Sequence, residues 1–206
     1  MNPKDQIKCF DKQANLYGRI RKKRKYIDHQ WRRQLLHAAR GKTLEVSVGA
    51  GANFRFYPRL EEITAVDLSP VMLEKAREAA MDAGLNVHLI LSTVEDLNFE
   101  PGSFDTIVST FSLCGYDDPE MILNLFGNWC KKDGQILMLE HGASKWLPIL
   151  WLQNLFDPLQ FRRIGCHANR RILEIVSRSD LQILKQERKF FGAIYLISAM
   201  PTQYKW

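Results

Sequence analysis

The sequence predicts an α/β fold: a doubly wound, Rossmann-like sheet of seven strands, mostly parallel, that closes on an antiparallel hairpin and is preceded by helices. Three observations predict it. Short apolar runs alternate with helical segments between residues 43 and 140, the pattern of parallel strands covered by helices on both faces. The first run empties into "LEVSVGAGANF", Leu44 to Phe54, in which two glycines follow an acidic residue and small side chains. Near the C-terminus "LQILKQERKFF" and "AIYLISAM" meet at Gly192. So short a link permits a hairpin, whereas a parallel crossover needs about a dozen residues or more.

The chain has 206 residues, 46% hydrophobic and 25% charged, which suits one domain with a substantial core. We expect a single domain over 1–206: a helical cap at 1–41, then a core at 42–206 with a lid near 142–168. Two helices are expected in the cap, at 3–17 and 19–40. The second carries Ile27, Trp31, Leu35 and Ala38 on one face. The net charge is +6, but residues 1–42 hold 13 Lys and Arg against 3 Asp and Glu, a net +10, leaving −4 for the remainder. Six of the seven residues Arg19 to Lys25 are basic. This run reads either as a solvated helix face or as contact with an anionic membrane or an acidic substrate. Nucleic acid is not expected, because aromatic residues do not interleave with the run.

Cys9, Cys114, Cys130 and Cys166 form no CxxC pair and have no zinc spacing, so no metal and no disulfide framework are expected. A reducing cytoplasm fits. The longest apolar stretch, Trp146 to Leu152, is far short of the roughly 20 residues of a membrane span. A cytoplasmic protein, soluble or peripheral to the membrane, is therefore expected.

Strands are expected at 43–48, 62–67, 87–92, 104–110 and 135–140. In "SPVMLEKAREAAMDAG", Ser69 can cap a helix, Pro70 suits its first position and Gly84 stops it. Further helices are expected at 118–131 and near 169–179.

A glycine-rich turn after a first strand can cradle a ligand or merely join strand to helix. Asp67 favours the ligand: it ends the second strand 16 residues after Gly51, where a carboxylate can accept both hydroxyls of a ribose. The dinucleotide fingerprint G-x-G-x-x-G is not met, since Ser47 stands in the first position and Ala52 follows Gly51. The C-terminal hairpin also disfavours NAD, which leaves S-adenosylmethionine (SAM) as the better reading.

"LEVSVGAGANF", "AVDLSPVMLEKA", "TVEDLNFEPGSFDTIVSTFSL" and "LMLEH" resemble, in order and spacing, the motifs of class I SAM-dependent methyltransferases. "FDKQANLYGRI" is similar to the start of ubiquinone and menaquinone biosynthesis methyltransferases, with Gly18 where they often have Asp. "GAGANFRFYP", "LEH", "FDP" and "GCHANR" resemble segments of the alkyl thiol methyltransferases. The resemblance covers roughly residues 42–195. Ser47 departs from the usual first glycine, and a basic helix stands where the mammalian thiol enzymes have a membrane-anchoring segment.

The resemblance implies that Glu45 lies beneath the loop and orders it, and that the backbone from Ser47 through Gly49 to Gly51 meets the methionine and ribose portion of the cofactor. It places Asp67 on the ribose and Leu68 on the adenine. Thr93, Val94 and Glu95 take the adenine edge, resting on backbone because many relatives have Asp in place of Thr93. Ser109 and Phe111 lie beside the sulfonium, and Tyr17 toward the methionine end. S-adenosylhomocysteine would be the product.

Methyl transfer needs alignment and exclusion of water more than covalent catalysis. A thiol acceptor with a pKa near 8.5 is mostly protonated at neutral pH, so a nearby base or cationic field would raise its reactivity. His141 is the candidate catalytic base, with Glu140 and His167 as rivals; Cys166 reads as a buried structural thiol. In "WLPILWLQNLFDPLQF", Trp146, Leu147, Ile149, Leu150, Trp151, Leu152, Leu155 and Phe156 exceed what one helix face would bury. The segment reads as core, or as a lid over an apolar acceptor or against a membrane. The expected function is methylation of a small hydrophobic acceptor. Thiol S-methylation stands ahead of quinone C-methylation and phospholipid N-methylation, with a non-catalytic SAM-binding regulator as the alternative of another class.

Overall fold

The computed structural model describes residues 3–23 and 27–202. Its Cα packing forms two compact units, Met1–Asn98 and Phe99–Trp206. Among the described residues there are seven strands, as the sequence predicts: three in the first unit, ordered β3-β2-β1, and four in the second, ordered β4-β5-β7-β6.

In the first unit β1 (Lys42–Val46), β2 (Glu62–Asp67) and β3 (Val87–Leu91) pair in parallel. Between β2 and β3 runs α3 (Pro70–Ala83), formed as its sequence requires. Ser69 Oγ accepts the N–H of Met72 at 3.0 Å, Pro70 opens the helix, and Gly84 ends it in the left-handed region at φ 66°. Ala76, Ala79 and Leu73 pack on Val48, Phe54 and Ala65.

The cap differs from expectation. Instead of breaking near residue 18, α1 (Pro3–Lys22) runs on through Gly18. A Cβ there would come within 3.3 Å of Lys75 Cδ, so the glycine serves close packing of α1 on α3. Ala14 of α1 packs with Ala50 and Met72. The basic run is partly neutralised, because buried Arg21 donates to Asp82 at 2.9 Å and lies 3.6 Å from Glu78. Arg24 and Lys25 lie outside the described residues. The second helix, α2 (His29–Leu36), is shorter than expected and buries Arg32, Leu35 and Leu36, while Ile27 and Ala38 are exposed. Arg32 turns inward because Asp28 and Asn53 accept from its guanidinium.

In the second unit β4 (Phe104–Thr110) is followed by α4 (Pro119–Trp129), capped by Asp118. The next strand, β5 (Cys130–His141), starts five residues before its expected position. Its register against β4 shifts between Phe104 and Thr106, and the sequence offered no sign of this irregular stretch. Helices α5 (Leu147–Ile164) and α6 (Ile172–Arg178) follow. The predicted hairpin, β6 (Leu181–Lys189) and β7 (Ile194–Pro201), turns at residues 190–192 and pairs antiparallel to β5 through β7.

Candidate functional site

Buried carboxylates stand at the C-terminal ends of three strands, and each braces a loop that leaves a strand end of its own unit. Glu45 on β1 accepts Asn53 Nδ2 at 2.9 Å and the Tyr57 hydroxyl at 2.6 Å. Asn53 in turn accepts from Arg32. Burial raises the Glu45 pKa to about 7, against the opposing pull of Tyr57, Arg32 and Asn53. The residue thus holds Asn53 and Tyr57, which follow the glycine loop.

Asp67 ends β2. One oxygen accepts the N–H of Gly49 at 2.7 Å and the other that of Ser69 at 2.9 Å. Burial lifts its pKa to about 6, while these backbone donors pull the other way. The Leu68 backbone N–H acts on the same group, so of its roughly four lone-pair sites about one is left for a ribose hydroxyl.

The two loop glycines serve different ends. At Gly49, in the left-handed region at φ 54°, an added Cβ would meet nothing within 4 Å. At Gly51 a Cβ would lie 2.7 Å from Ala79 Cβ and 3.1 Å from Ala76 Cα. Gly49 therefore faces open space that a ligand can enter, whereas Gly51 is bare so that α3 can approach. Ser47 holds a left-handed φ of 49°, a conformation that costs a non-glycine residue roughly 1–2 kcal/mol.

The remaining residues expected at the cofactor divide. Leu68 is half-buried beside Asp67, outside the core. The Thr93 hydroxyl is committed to Asp96 at 2.7 Å, Val94 is buried and Glu95 exposed. At this turn backbone and Glu95 are what remains to face a ligand. Tyr17 lies on the exposed side of α1. These residues fit the adenosine part of SAM: an open Gly49 backbone, a carboxylate with a free lone pair and an apolar neighbour in Leu68.

In the second unit Glu140, wholly buried near the end of β5, accepts the Ser109 hydroxyl at 2.7 Å and the N–H groups of Ser112 and Leu113 at 3.0 and 3.2 Å. Burial raises its pKa to about 7 against those hydrogen bonds and the charge of His141. Glu140 is thus a brace for the loop after β4, and Ser109 is wholly buried beneath that loop. Phe111 is half-buried, takes a left-handed φ of 55°, and stacks on the His141 ring at 6.0 Å.

His141 Nε2 lies 3.9 Å from Cys166 Sγ, which also receives Gln160 Nε2 at 3.4 Å. Burial alone would lower the His141 pKa, but the Cys166 thiolate, with Glu140 and Asp157, raises it overall. Cys166 is pulled well below the usual thiol range by the hydrogen bond from Cys114, against burial, and by His141. Cys114 is pushed up by that same neighbour and by burial. The paired Cys166 and His141 contrast with the inert buried thiol that the sequence suggested. The rival base, His167, donates from Nδ1 to Asp157 Oδ2 at 2.7 Å and stacks on Phe161.

Helix α5 has its faces reversed. Gln153, Asp157 and Gln160, at steps of four and three residues, reach inward to Gly142 and Ala168, to Ala168 and His167, and to Cys166. Asp157 is its one buried residue, while Leu147, Trp151 and Phe156 are 74%, 64% and 55% exposed. The segment read as core or lid near 142–168 folds as this helix, with its apolar side outward. Sequence periodicity missed the inward polar face because apolar residues surround it on every side.

Residues 44–138 match the family model of the methyltransferase domain. The chain is 29% identical to a mitochondrial methyltransferase of Saccharomyces cerevisiae over 92% of its own length and 43% of that protein's. It is 27% identical to a human thiol S-methyltransferase over 92% of this chain and 75% of the relative. A phosphatidylethanolamine N-methyltransferase of Cereibacter sphaeroides shares 26% identity, covering 78% and 79%. The chain thus spans less than half of the yeast relative and about three quarters of the other two. Among solved structures, a geranyl diphosphate methyltransferase in complex with SAM superposes with a TM-score of 0.68 at 14% identity, covering 84% of this chain and 83% of that one, a likeness of fold. Residues 44–138 thus match a methyltransferase domain, and in sequence the chain is similar to methyltransferases of several acceptors.

Proposed function

We propose that the chain methylates a small hydrophobic acceptor, with a thiol as the favoured acceptor, while seated against an apolar phase. The observation that carries this reading is the reversed α5. A helix that spends its polar residues on the protein and turns Trp151, Leu147 and Phe156 outward gains stability only where something apolar covers it. Lys145 precedes that surface and Arg162 and Arg163 close it, which suits anionic headgroups around an interfacial helix. The basic end of α1 adds to this peripheral contact, less the charge that Asp82 and Glu78 neutralise.

SAM, when bound, supplies a methyl group on a sulfonium leaving group. The chain's own part is to hold it with the Ser47 to Gly51 backbone, Asp67 and Leu68. The acceptor's proton falls to His141. Its raised pKa lies closer to that of a thiol, which makes proton transfer from that thiol less uphill. Support for sulfur comes from the human relative, whose name is a thiol S-methyltransferase and which matches nearly the whole chain. A second reading, phospholipid N-methylation, is favoured by the bacterial relative's name and by the same outward α5.

The test is release of S-adenosylhomocysteine from SAM with three acceptors in turn: a small alkyl thiol, a demethylated quinol and phosphatidylethanolamine vesicles. Turnover with the thiol is expected. Turnover with another acceptor alone replaces the thiol reading. Silence across all three, with calorimetric binding of SAM intact, leaves a regulatory SAM-binding protein.

A further inference from the structure

Cys114, His141 and Cys166 place two sulfurs and an imidazole nitrogen so that these ligand atoms all lie within 4.8 Å of one another. They arrive from three separate places: the loop after β4, the last residue of β5 and the segment after α5. Tetrahedral zinc, with Zn–S of about 2.3 Å and Zn–N of about 2.0–2.1 Å, sets its ligands roughly 3.6–3.8 Å apart. The 3.9 Å between Cys166 Sγ and His141 Nε2 is close to that edge.

The supports of the cluster are those of a metal centre. Phe111 stacks on the imidazole and sets its orientation. The His167 N–H donates to Cys114 O at 3.0 Å, fastening one sulfur-bearing segment to the other. Gln160 donates to Cys166 Sγ, and Asp157 holds Ala168 and His167 against α5. Cys114 Sγ donates to Phe111 O at 3.5 Å, a weak contact that a metal can displace. Thiolate and imidazole are soft ligands that suit zinc and not magnesium or calcium. Three protein ligands, two of them sulfur, leave the fourth tetrahedral position open, as catalytic zinc sites do.

We propose that Cys114, His141 and Cys166 bind one zinc ion, and that its open position takes the sulfur of the acceptor thiol. This rests on the thiol reading above and deepens it. On binding, Cys114 releases its proton and the Cys166–His141 pair gives up the one it holds, so that two thiolates and a neutral imidazole meet the metal. The acceptor's S–H proton leaves to solvent as its sulfur joins the metal. The methyl group then passes to that sulfur: a new C–S bond forms, the bond to the sulfonium sulfur breaks with its electron pair, and S-adenosylhomocysteine and a neutral thioether are the products. The thioether is a weaker ligand than a thiolate and departs. In this arrangement His141 holds the metal in place of the role of base given it above, and the metal ionises the thiol.

The test uses the full chain, purified without chelators and dialysed, with zinc counted by mass spectrometry. One equivalent is expected, falling at least tenfold in Cys114→Ser and Cys166→Ser and unchanged in Cys9→Ser. To keep the test independent of how the first two variants fold, the unaltered protein is also loaded with cobalt(II) in place of zinc. A thiolate-to-cobalt absorption band should appear and shift when a small alkyl thiol is added, but not with the matching thioether. Failure to retain zinc or to develop that band overturns the proposal, and a band indifferent to thiol overturns the acceptor's place on the metal. If metal-free protein still releases S-adenosylhomocysteine with the thiol, the zinc site falls while thiol methylation stands.

Discussion

Asp67 accepts the N–H of Gly49 at 2.7 Å, so the carboxylate at the tip of β2 holds the loop that follows β1. One residue thereby shapes the backbone a nucleoside would touch and offers a lone pair of its own to the sugar. Asp67→Ala should lower affinity for S-adenosylhomocysteine ten- to a hundredfold, the worth of a charge-assisted hydrogen bond at about 1.5–3 kcal/mol. Calorimetry measures this, and unchanged affinity would remove Asp67 from the site.

The two glycines should separate stability from binding. Gly51→Ala drives a methyl group into Ala79 and the α3 backbone, and should cost about 1–3 kcal/mol of stability, as overpacking does. Gly49→Ala should cost stability only through its positive φ, roughly 1–2 kcal/mol, yet abolish cofactor binding by filling open space. Urea melts and calorimetry on both variants check the contrast; equal loss of binding in the two would contradict it.

Glu45 and Asp67 both have pKa values raised by burial, to about 7 and about 6. The folded chain therefore keeps protons that the unfolded chain has released across the weakly acidic range. Fewer protons bind to the unfolded state there, so these groups make stability fall as pH rises from about 4.5 to 7. The slope is at most about 1.4 kcal/mol per pH unit for each group. Urea unfolding at steps through that range should show the fall, and Glu45→Gln should remove its share.

Trp151→Ser with Phe156→Ser should abolish co-sedimentation with vesicles rich in anionic lipid while leaving unfolding free energy within about 0.5 kcal/mol, since both side chains are exposed. Neutral vesicles and high salt should weaken binding of the unaltered protein. Persistent binding by the double variant would place the lipid contact elsewhere.

Local signals carried most of the fold. Ser69, Pro70 and Gly84 bound α3 because caps are written in adjacent residues, and Gly192 marked the hairpin because chain reach forbids a crossover there. Asp67 was legible because strand-end carboxylates have few packing roles. Other features were hidden for one physical reason: they depend on residues far apart in the chain. Gly18 looked like a helix break until Lys75 came beside it, and Gly51 looked like ligand clearance until Ala79 did. Cys114, His141 and Cys166 share no spacing, so only folding brings them together. The inward Gln153, Asp157 and Gln160 were masked by the leucines and tryptophans around them.

The reversed α5 has a practical consequence for anyone preparing the protein. Indole and phenyl rings facing the buffer invite molecules to adhere to one another as concentration rises, so light scattering should climb well before the fold melts. A mild non-ionic detergent that coats those rings would keep the sample monodisperse, and an affinity tag or fluorophore is best kept away from that helix.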